Sequence, residues 1–179
     1  GMQTIRREIA ALQVVAELLD PHAMDAAAAL IADAQAAGGR THVSGVGKCR
    51  HIGQKIAATF QSTGTVAYFL DPLDATHGDS GQVCAGDVVV GISNSGGTRE
   101  LLDTLTTVKR NGAKIIGITG GRESELARLS DVLLHVPVDG EADPLGLAPT
   151  SSTTCQLAVG DALAAMLATA RGFTADDFG

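Results

Sequence analysis

The chain has 179 residues, which is enough for one domain with a sizeable core, and residues 1–179 are expected to form a single domain. Hydrophobic residues make up 45% of the chain and aromatic residues only 3%, which predicts a core of Ala, Val, Ile and Leu. The formal net charge of −7 provides no general field for nucleic acid or an anionic membrane, so neither is expected as a partner.

Targeting segments and metal motifs are not evident in the sequence. No apolar run approaches the roughly 18 residues that span a bilayer, and the N-terminus lacks a signal-peptide core. Cys49, Cys84 and Cys155 are far apart and show no CxxC spacing, which predicts neither a disulfide framework nor a zinc site. We therefore expect reduced thiols, a cytoplasmic location, no metal and no cofactor.

The predicted elements alternate along the chain. Apolar residues at helical spacing predict two helices in residues 1–37, the second beginning at Pro21. Short apolar segments predict strands at about residues 41–45, 65–70, 87–92, 114–118 and 132–136. Further helices are predicted at about residues 48–62, 98–111, 123–129 and 151–171.

This alternation predicts an α/β fold for residues 40–179. We expect a three-layer sandwich in which a five-stranded parallel sheet, of flavodoxin-like order 2-1-3-4-5, has helices on both faces. The two N-terminal helices are more apolar than the cover of one small sheet requires. An exposed apolar face of that size predicts a homo-oligomer, either a dimer or a tetramer.

The segment VVVGISNSGGTRELL at residues 88–102 places a buried strand before a loop that opens a helix. Backbone N–H groups at a helix start, together with the positive end of the helix dipole, attract phosphate without a cationic side chain. Hydroxyls, an amide and a close-approach glycine lie where phosphate oxygens would bind: Ser93, Asn94, Ser95, Gly96 and Thr98. Neither GxxxxGK[ST] nor GxGxxG is present, which favours a small phosphorylated metabolite. The alternative is an ordinary strand-to-helix turn rich in Gly and Ser.

A second loop of the same character, THVSGVGKCRHIG, follows the first predicted strand. In the predicted order the first and third strands are neighbours, and their following loops diverge at the topological switch point. The two loops should therefore face each other across a crevice. This loop contributes Ser44, Gly45, Gly47 and Lys48, and a lysine at a helix start indicates a nearby anion because the dipole disfavours it. The alternative for Lys48 is a solvated side chain at the loop edge.

A third segment, APTSSTT at residues 148–154, is typical of a helix start capped by hydroxyls. Thr150, Ser151 and Ser152 follow Pro149 there. Two interpretations stay open, a simple cap and a third hydroxyl-rich helix start that lines the ligand pocket.

Five segments closely resemble, in order and spacing, the sugar isomerase (SIS) domain of bacterial D-arabinose 5-phosphate isomerases. They are SGVGKCRHIGQKIAATFQSTGT, FLDPLDATHGDSG, VVVGISNSGGTREL, EADPLGLAPTSSTT and GDALAAMLATARGFTADDF. The resemblance implies a SIS fold, a small phosphorylated sugar as ligand, a homotetramer, and interconversion of arabinose 5-phosphate and ribulose 5-phosphate. In that family a pair of CBS domains commonly follows, and this chain lacks them.

The resemblance also implies catalytic roles for four residues. Lys48 matches the lysine of the family's GKSGHIG motif, and Glu100 matches a glutamate in the helix after its SNSGE loop. Glu141 matches the glutamate before CPLGLAPTSS, and His77 matches the histidine of HGD. Isomerisation through a cis-enediol needs a base for the C2 proton, a proton relay and a positive group for the oxyanion. Either glutamate is then a candidate base, Lys48 the electrostatic partner, and His77 the group for ring opening or proton relay.

The chain departs from the family pattern at several positions. Cys49 replaces a serine that helps to hold phosphate, Arg50 replaces glycine, Gly97 replaces glutamate, and Asp143 replaces cysteine. The family's catalytic histidine, which follows TAEDF, has no counterpart because the sequence stops at Gly179. Two alternatives to the isomerase therefore stay open, a non-catalytic phosphosugar-binding or regulatory module and a 6-phospho-3-hexuloisomerase.

Overall fold

The computed structural model describes residues 1–178, which form five strands and seven helices together with one 3₁₀ turn. Two helices precede the first strand, and a long helix follows the last one. The elements are α1 (Met2–Leu18), α2 (Pro21–Ala36), β1 (Thr41–Gly45), α3 (Lys48–Ser62), β2 (Ala67–Leu70), α4 (Pro72–Ala75), the 3₁₀ turn (Asp79–Gln82), β3 (Val88–Ile92), α5 (Arg99–Arg110), β4 (Lys114–Thr119), α6 (Glu125–Leu129), β5 (Val132–His135) and α7 (Ser151–Ala170).

The five strands form one parallel sheet in the order β2-β1-β3-β4-β5, which confirms the predicted fold and strand order. β1 pairs with β3 in a register that places Ser44 beside Gly91 and Gly45 beside Ile92. Because parallel strands end at the same edge of the sheet, the loops after β1 and β3 leave it side by side.

Alternating side chains of the strands pack into two apolar clusters on opposite faces of the sheet. In β3, Val88 and Val90 contact the cluster formed with α2, α3 and α7, whereas Val89 faces the cluster formed with α5 and α6. All three valines are fully buried, and burial of such a side chain stabilises a fold by about 1.5–3 kcal/mol. The rigid sheet therefore fixes the edge from which the candidate loops project.

Two short elements between β2 and β3, namely α4 and the 3₁₀ turn, are absent from the sequence prediction. Asp71 caps α4 by accepting a hydrogen bond from the Leu73 N–H at 3.0 Å, and Pro72 occupies the first helical position. The same Asp-Pro pair starts α2, where Asp20 accepts from the His22 N–H. A helix of four residues is too short to show an apolar period, so only this pair could have indicated it.

The N-terminal helix α1 leaves large apolar side chains uncovered in the single chain. Met2, Ile5, Ile9, Val14 and Leu18 remain between 43% and 64% exposed. In residues 1–178 no helix is both long and apolar enough to cross a membrane.

Candidate functional site

The loop between β3 and α5 is held in shape by hydrogen bonds to its own hydroxyl groups. Ser93 Oγ lies 2.8 Å from Thr98 Oγ1 and accepts a hydrogen bond from the Gly96 N–H at 3.1 Å. Ser95 is exposed, and its Oγ accepts from the Gly97 N–H at 3.2 Å. These bonds hold the loop in one shape and leave Ser95 at its surface.

Gly96 is the residue that lets this loop lie against β4 and α6. Its φ of +65° is in the left-handed region, and a Cβ there would lie 2.1 Å from Ser124 Oγ. Only glycine fits such a position without displacing the neighbouring helix. The Gly96 carbonyl also accepts from the Leu126 N–H at 2.9 Å, which fixes the loop to α6.

The start of α5 has no side-chain acceptor for its first N–H groups. Thr98 is the N-cap residue, but its hydroxyl bonds to Ser93 and makes no capping bond. The first-turn N–H groups thus remain available to an anion, as the sequence predicts for this segment. Glu100 is exposed in the same turn.

The start of α3 is open in the same way. Its N-cap is Gly47, with a φ of +63° and no side chain to bond the first turn, and Lys48 follows as an exposed side chain. A Cβ at Gly45 would lie 3.0 Å from the Cys49 backbone, so this glycine permits the close passage of the loop. Ser44, by contrast, is buried and donates its hydroxyl to the Leu70 carbonyl at 2.8 Å, which ties β1 to β2.

Cys49 joins the two loops to α7. Its Sγ donates to Gln156 Oε1 at 3.4 Å and also receives a hydrogen bond from the backbone of Asn94, in the loop after β3. Burial raises the pKa of this thiol, and the negative charge of Glu141 raises it further, against the effect of the hydrogen bonds. Gln156 is itself buried, and it was not identified from the sequence because a glutamine inside a helix carries no motif.

The start of α7 is closed by a carboxylate from the preceding loop. Glu141 Oε2 accepts from the Thr150 N–H at 2.8 Å and from the Ser152 N–H at 3.1 Å, and Glu141 Oε1 accepts from the Ser152 hydroxyl. The predicted helix start is confirmed, but the expected hydroxyl cap is wrong, because the Thr150 side chain makes no capping bond to α7 and also donates to Glu141. Ser151 is buried beside this cap.

These hydrogen bonds keep Glu141 ionised. Burial alone would raise the pKa of its carboxyl, but the bonds from Ser152 and Thr150 outweigh burial and lower the pKa below its usual value. The loop that carries Glu141 is folded around Asp143, whose carboxylate accepts from the Leu145 N–H at 3.0 Å and from the Leu147 N–H at 2.7 Å. The structure thus provides a fixed carboxylate, next to the element that contacts Cys49.

The predicted residues line more than one cavity. A cavity of about 520 Å³ lies between α1 and the loop after β5, and Glu141 and Ser151 line it together with Arg7. Lys48 lines another cavity, of about 360 Å³, and Asn94 lines a third, of about 290 Å³.

His77 is exposed in the turn after α4, where its backbone N–H donates to the Asp74 carbonyl at 2.9 Å. Within residues 1–178 no group of three His, Cys, Asp or Glu side chains could hold a metal ion.

Comparisons with known proteins agree on the family. A model of the SIS domain family matches residues 36–166. Arabinose 5-phosphate isomerase KdsD of Pseudomonas aeruginosa is 53% identical over 140 residues, which are 78% of this chain and 43% of that protein. KdsD of Francisella tularensis subsp. tularensis is 44% identical over 178 residues, 99% of this chain and 54% of that protein. The chain thus spans about half the length of these relatives.

A solved structure gives the same result for the fold. The protein c3406 of E. coli CFT073, solved in complex with arabinose 5-phosphate, superposes with a TM-score of 0.89 at 42% identity, over 99% of this chain and 93% of that chain. The neighbour therefore shares the fold of this chain along nearly its whole length.

Proposed function

Because the chain belongs to the SIS domain family, we propose that it interconverts the aldose and ketose forms of a small sugar phosphate, with D-arabinose 5-phosphate and D-ribulose 5-phosphate as the substrate pair. The similarity to KdsD and to a structure in complex with arabinose 5-phosphate supports this substrate. The observation that carries the proposal is the pair of open helix starts, at α3 and α5, which follow neighbouring strands.

The phosphate is proposed to bind at the start of α5. Its first-turn N–H groups have no side-chain cap, and they form the positive end of the helix dipole, which attracts an anion. Ser95 and Thr98 add hydroxyl donors, and Asn94 adds an amide in the adjoining loop. Gly45 and Gly47 let the loop after β1 approach closely, and Cys49 holds this loop to Asn94. The buried Ser44 and Ser93 act as supports, because the Ser44 hydroxyl donates to the Leu70 carbonyl and the Ser93 hydroxyl donates to Thr98 Oγ1, which leaves the Thr98 proton for the phosphate.

The proton chemistry is proposed to use Glu141 and Lys48. The Glu141 carboxylate takes the proton from C2 of the open-chain aldose, the C–H electrons form the C1–C2 double bond, and the C1 oxygen gains a proton. Return of the proton to C1, with loss of the proton on the C2 oxygen, yields the ketose. Lys48 stabilises the negative charge on the enediolate oxygens, and His77 moves protons between them.

Glu141 is preferred to Glu100 as the base for a geometric reason. Its carboxylate is held by several hydrogen bonds at the start of α7, the helix whose Gln156 contacts Cys49. Glu100 is exposed in the first turn of α5, where it also fits as a favourable interaction with the helix dipole. A base must lie within reach of its proton before its pKa matters.

The chain is further proposed to form a dimer or tetramer through the apolar face of α1. Met2, Ile5 and Ile9 are about half or more exposed, and monomeric proteins seldom leave such side chains grouped on one helix. Light scattering at micromolar concentration should give two or four times the mass of the chain. A monomer would overturn this part of the proposal.

Turnover of arabinose 5-phosphate in deuterium oxide tests the proposed reaction. Magnetic resonance should detect ribulose 5-phosphate together with deuterium at C2 of the recovered aldose. A panel that adds 6-phosphohexulose and other sugar phosphates separates this substrate from its alternatives. Binding of arabinose 5-phosphate without deuterium exchange would contradict isomerisation and favour a binding module.

A further inference from the structure

The first turn of α3 carries an excess of cationic side chains. Lys48 and Arg50 lie close together there, and the turn contains no acidic residue. The positive end of a helix dipole disfavours cations, so such a cluster costs stability unless negative charge compensates it. The chain as a whole has a net charge of −7, which makes this cluster a local exception.

Arg50 is oriented by one carboxylate. Its Nη2 atom lies 2.7 Å from Asp71 Oδ2, and the Asp71 side chain is only 12% exposed. Asp71 is in turn fixed, because its Oδ1 accepts the capping bond from the Leu73 N–H. The Arg50 side chain is 44% exposed, and a guanidinium offers five N–H donors, so donors remain for a ligand.

Arg50 and Lys48 line the same cavity of about 360 Å³, between the loops after β1 and β2. Asp71 lines it too, together with the backbone of Gly45 and Gly47. The two cations and the one carboxylate together leave a formal charge of +1. A guanidinium already held by a carboxylate loses little freedom on binding, which favours recognition of a second anionic group.

We propose that Arg50, oriented by Asp71, is a specificity-determining residue. Together with Lys48 it binds negative charge at the end of the ligand opposite the phosphate, which is the end where the enediolate develops. This inference rests on the function proposed above, in which the phosphate lies at the start of α5. A sugar phosphate with a carboxylate at carbon 1 should therefore bind more tightly than its uncharged alcohol.

Calorimetric titration of two ligands tests the proposal. The first is 5-phosphoarabinonate, which has a carboxylate at carbon 1, and the second is arabinitol 5-phosphate, which has an alcohol there. Arg50→Gln should weaken binding of the phosphoarabinonate about tenfold or more, because a charge-assisted hydrogen bond is lost, and should change binding of the arabinitol phosphate by less than about threefold. Arg50→Lys keeps the charge and should recover part of the difference.

Lys55→Gln is the matched control. Lys55 lies on the same helix, pairs with Asp161 and does not line the cavity, so the variant removes the same charge elsewhere. It should leave the preference for the phosphoarabinonate unchanged. Equal weakening of both ligands in Arg50→Gln, or no weakening, would overturn the proposal and leave the Arg50–Asp71 pair as a structural link between the loops. If neither ligand binds the wild-type protein, the proposed function fails as well.

Discussion

The helix starts of α5 and α7 both project from the carboxyl end of the sheet, but their first N–H groups are satisfied differently. At α7 the Glu141 carboxylate accepts hydrogen bonds from Thr150 and Ser152, whereas at α5 no side chain caps the first turn. α3 also begins without a side-chain cap, while Ser124 caps α6. Among the helices that follow strands, the open starts are thus those of α3 and α5, which follow β1 and β3 at the switch point of the sheet.

The difference separates two tasks that the same backbone geometry can perform. A helix start attracts an anion, and the anion comes either from the ligand or from the protein itself. At α5 the proposed anion is the phosphate of the sugar, and at α3 it is the enediolate end of the same ligand. At α7 the anion is Glu141, and the helix start holds this carboxylate ionised, in a fixed position, as a candidate base.

The largest expected effect is on catalysis, when the Glu141 carboxylate at the start of α7 is replaced. Glu141→Gln should lower kcat for arabinose 5-phosphate about 100- to 10,000-fold, because an amide cannot take the C2 proton. Glu100→Gln, at the open start, should lower it less than about tenfold. Rates of C2 deuterium exchange measure both. Full exchange in Glu141→Gln, or a larger loss in Glu100→Gln, would move the base to Glu100.

The same substitution should also affect folding. Glu141→Gln replaces a charged acceptor by an amide whose –NH₂ group faces N–H donors, which should lower the free energy of unfolding by about 1–3 kcal/mol. The exposed Glu100→Gln should stay within about 0.5 kcal/mol of the wild type. Urea denaturation of the two variants tests this contrast, and equal stability would mean that Glu141 does not cap α7.

Loss of a hydroxyl at the start of α5 should change the affinity for ligand rather than the stability of the fold. Ser95→Ala should weaken binding of arabinose 5-phosphate about tenfold, since one charge-assisted hydrogen bond to phosphate is lost. Ser152→Ala, which loses a bond to Glu141, should lower the melting temperature and leave the affinity within about threefold. Titration calorimetry measures the affinity of both variants, and scanning calorimetry measures their melting temperatures. Unchanged affinity in Ser95→Ala would place the phosphate elsewhere.

The smallest effect is expected at the opposite end of the strands, away from both kinds of helix start. His42 is buried, with its Nε2 atom 3.1 Å from Asp87 Oδ2, and burial lowers the pKa of His42 despite this carboxylate. The unfolded chain therefore binds a proton that the folded chain resists, and stability should fall as the pH drops below about 6.5, by at most about 1.4 kcal/mol per pH unit.

The stability of the fold should depend on pH in a second range, because of Glu141 at the start of α7. The lowered pKa of Glu141 means that its contribution is complete above the usual value of 4.5 and disappears as the pH falls below it. Unfolding measured from pH 7 to about pH 2 should therefore show that His42→Gln flattens the upper part of the curve and Glu141→Gln the lower part. A flat wild-type curve between pH 6.5 and 5 would contradict the role of His42.

The sequence was sufficient for the sheet and for the open helix starts. Each strand is a short apolar run, and helical periods separate most of the strands, so this alternation leaves few topologies. The predicted ends of α5 and α7 lie within one residue of the observed ends. The loop after β3 was identified because its hydroxyls and glycines are adjacent in the chain, so their chemistry is visible without a structure.

Contacts between distant residues could not be predicted in this way. Glu141 caps a helix that begins ten residues later, because the loop around Asp143 folds back on itself. The contact between Cys49 and Gln156 joins residues 107 positions apart. This second pair depends on how α3 and α7 pack, and a single sequence carries no periodic signal for that packing.

A crystal structure with bound arabinose 5-phosphate tests the central claim most directly, because it locates the phosphate. Phosphate oxygens are expected at about 3 Å from the first-turn N–H groups of α5 and from Ser95 Oγ, with Glu141 still capping α7. A phosphate bound to Thr150 and Ser152 in place of the Glu141 carboxylate would contradict it.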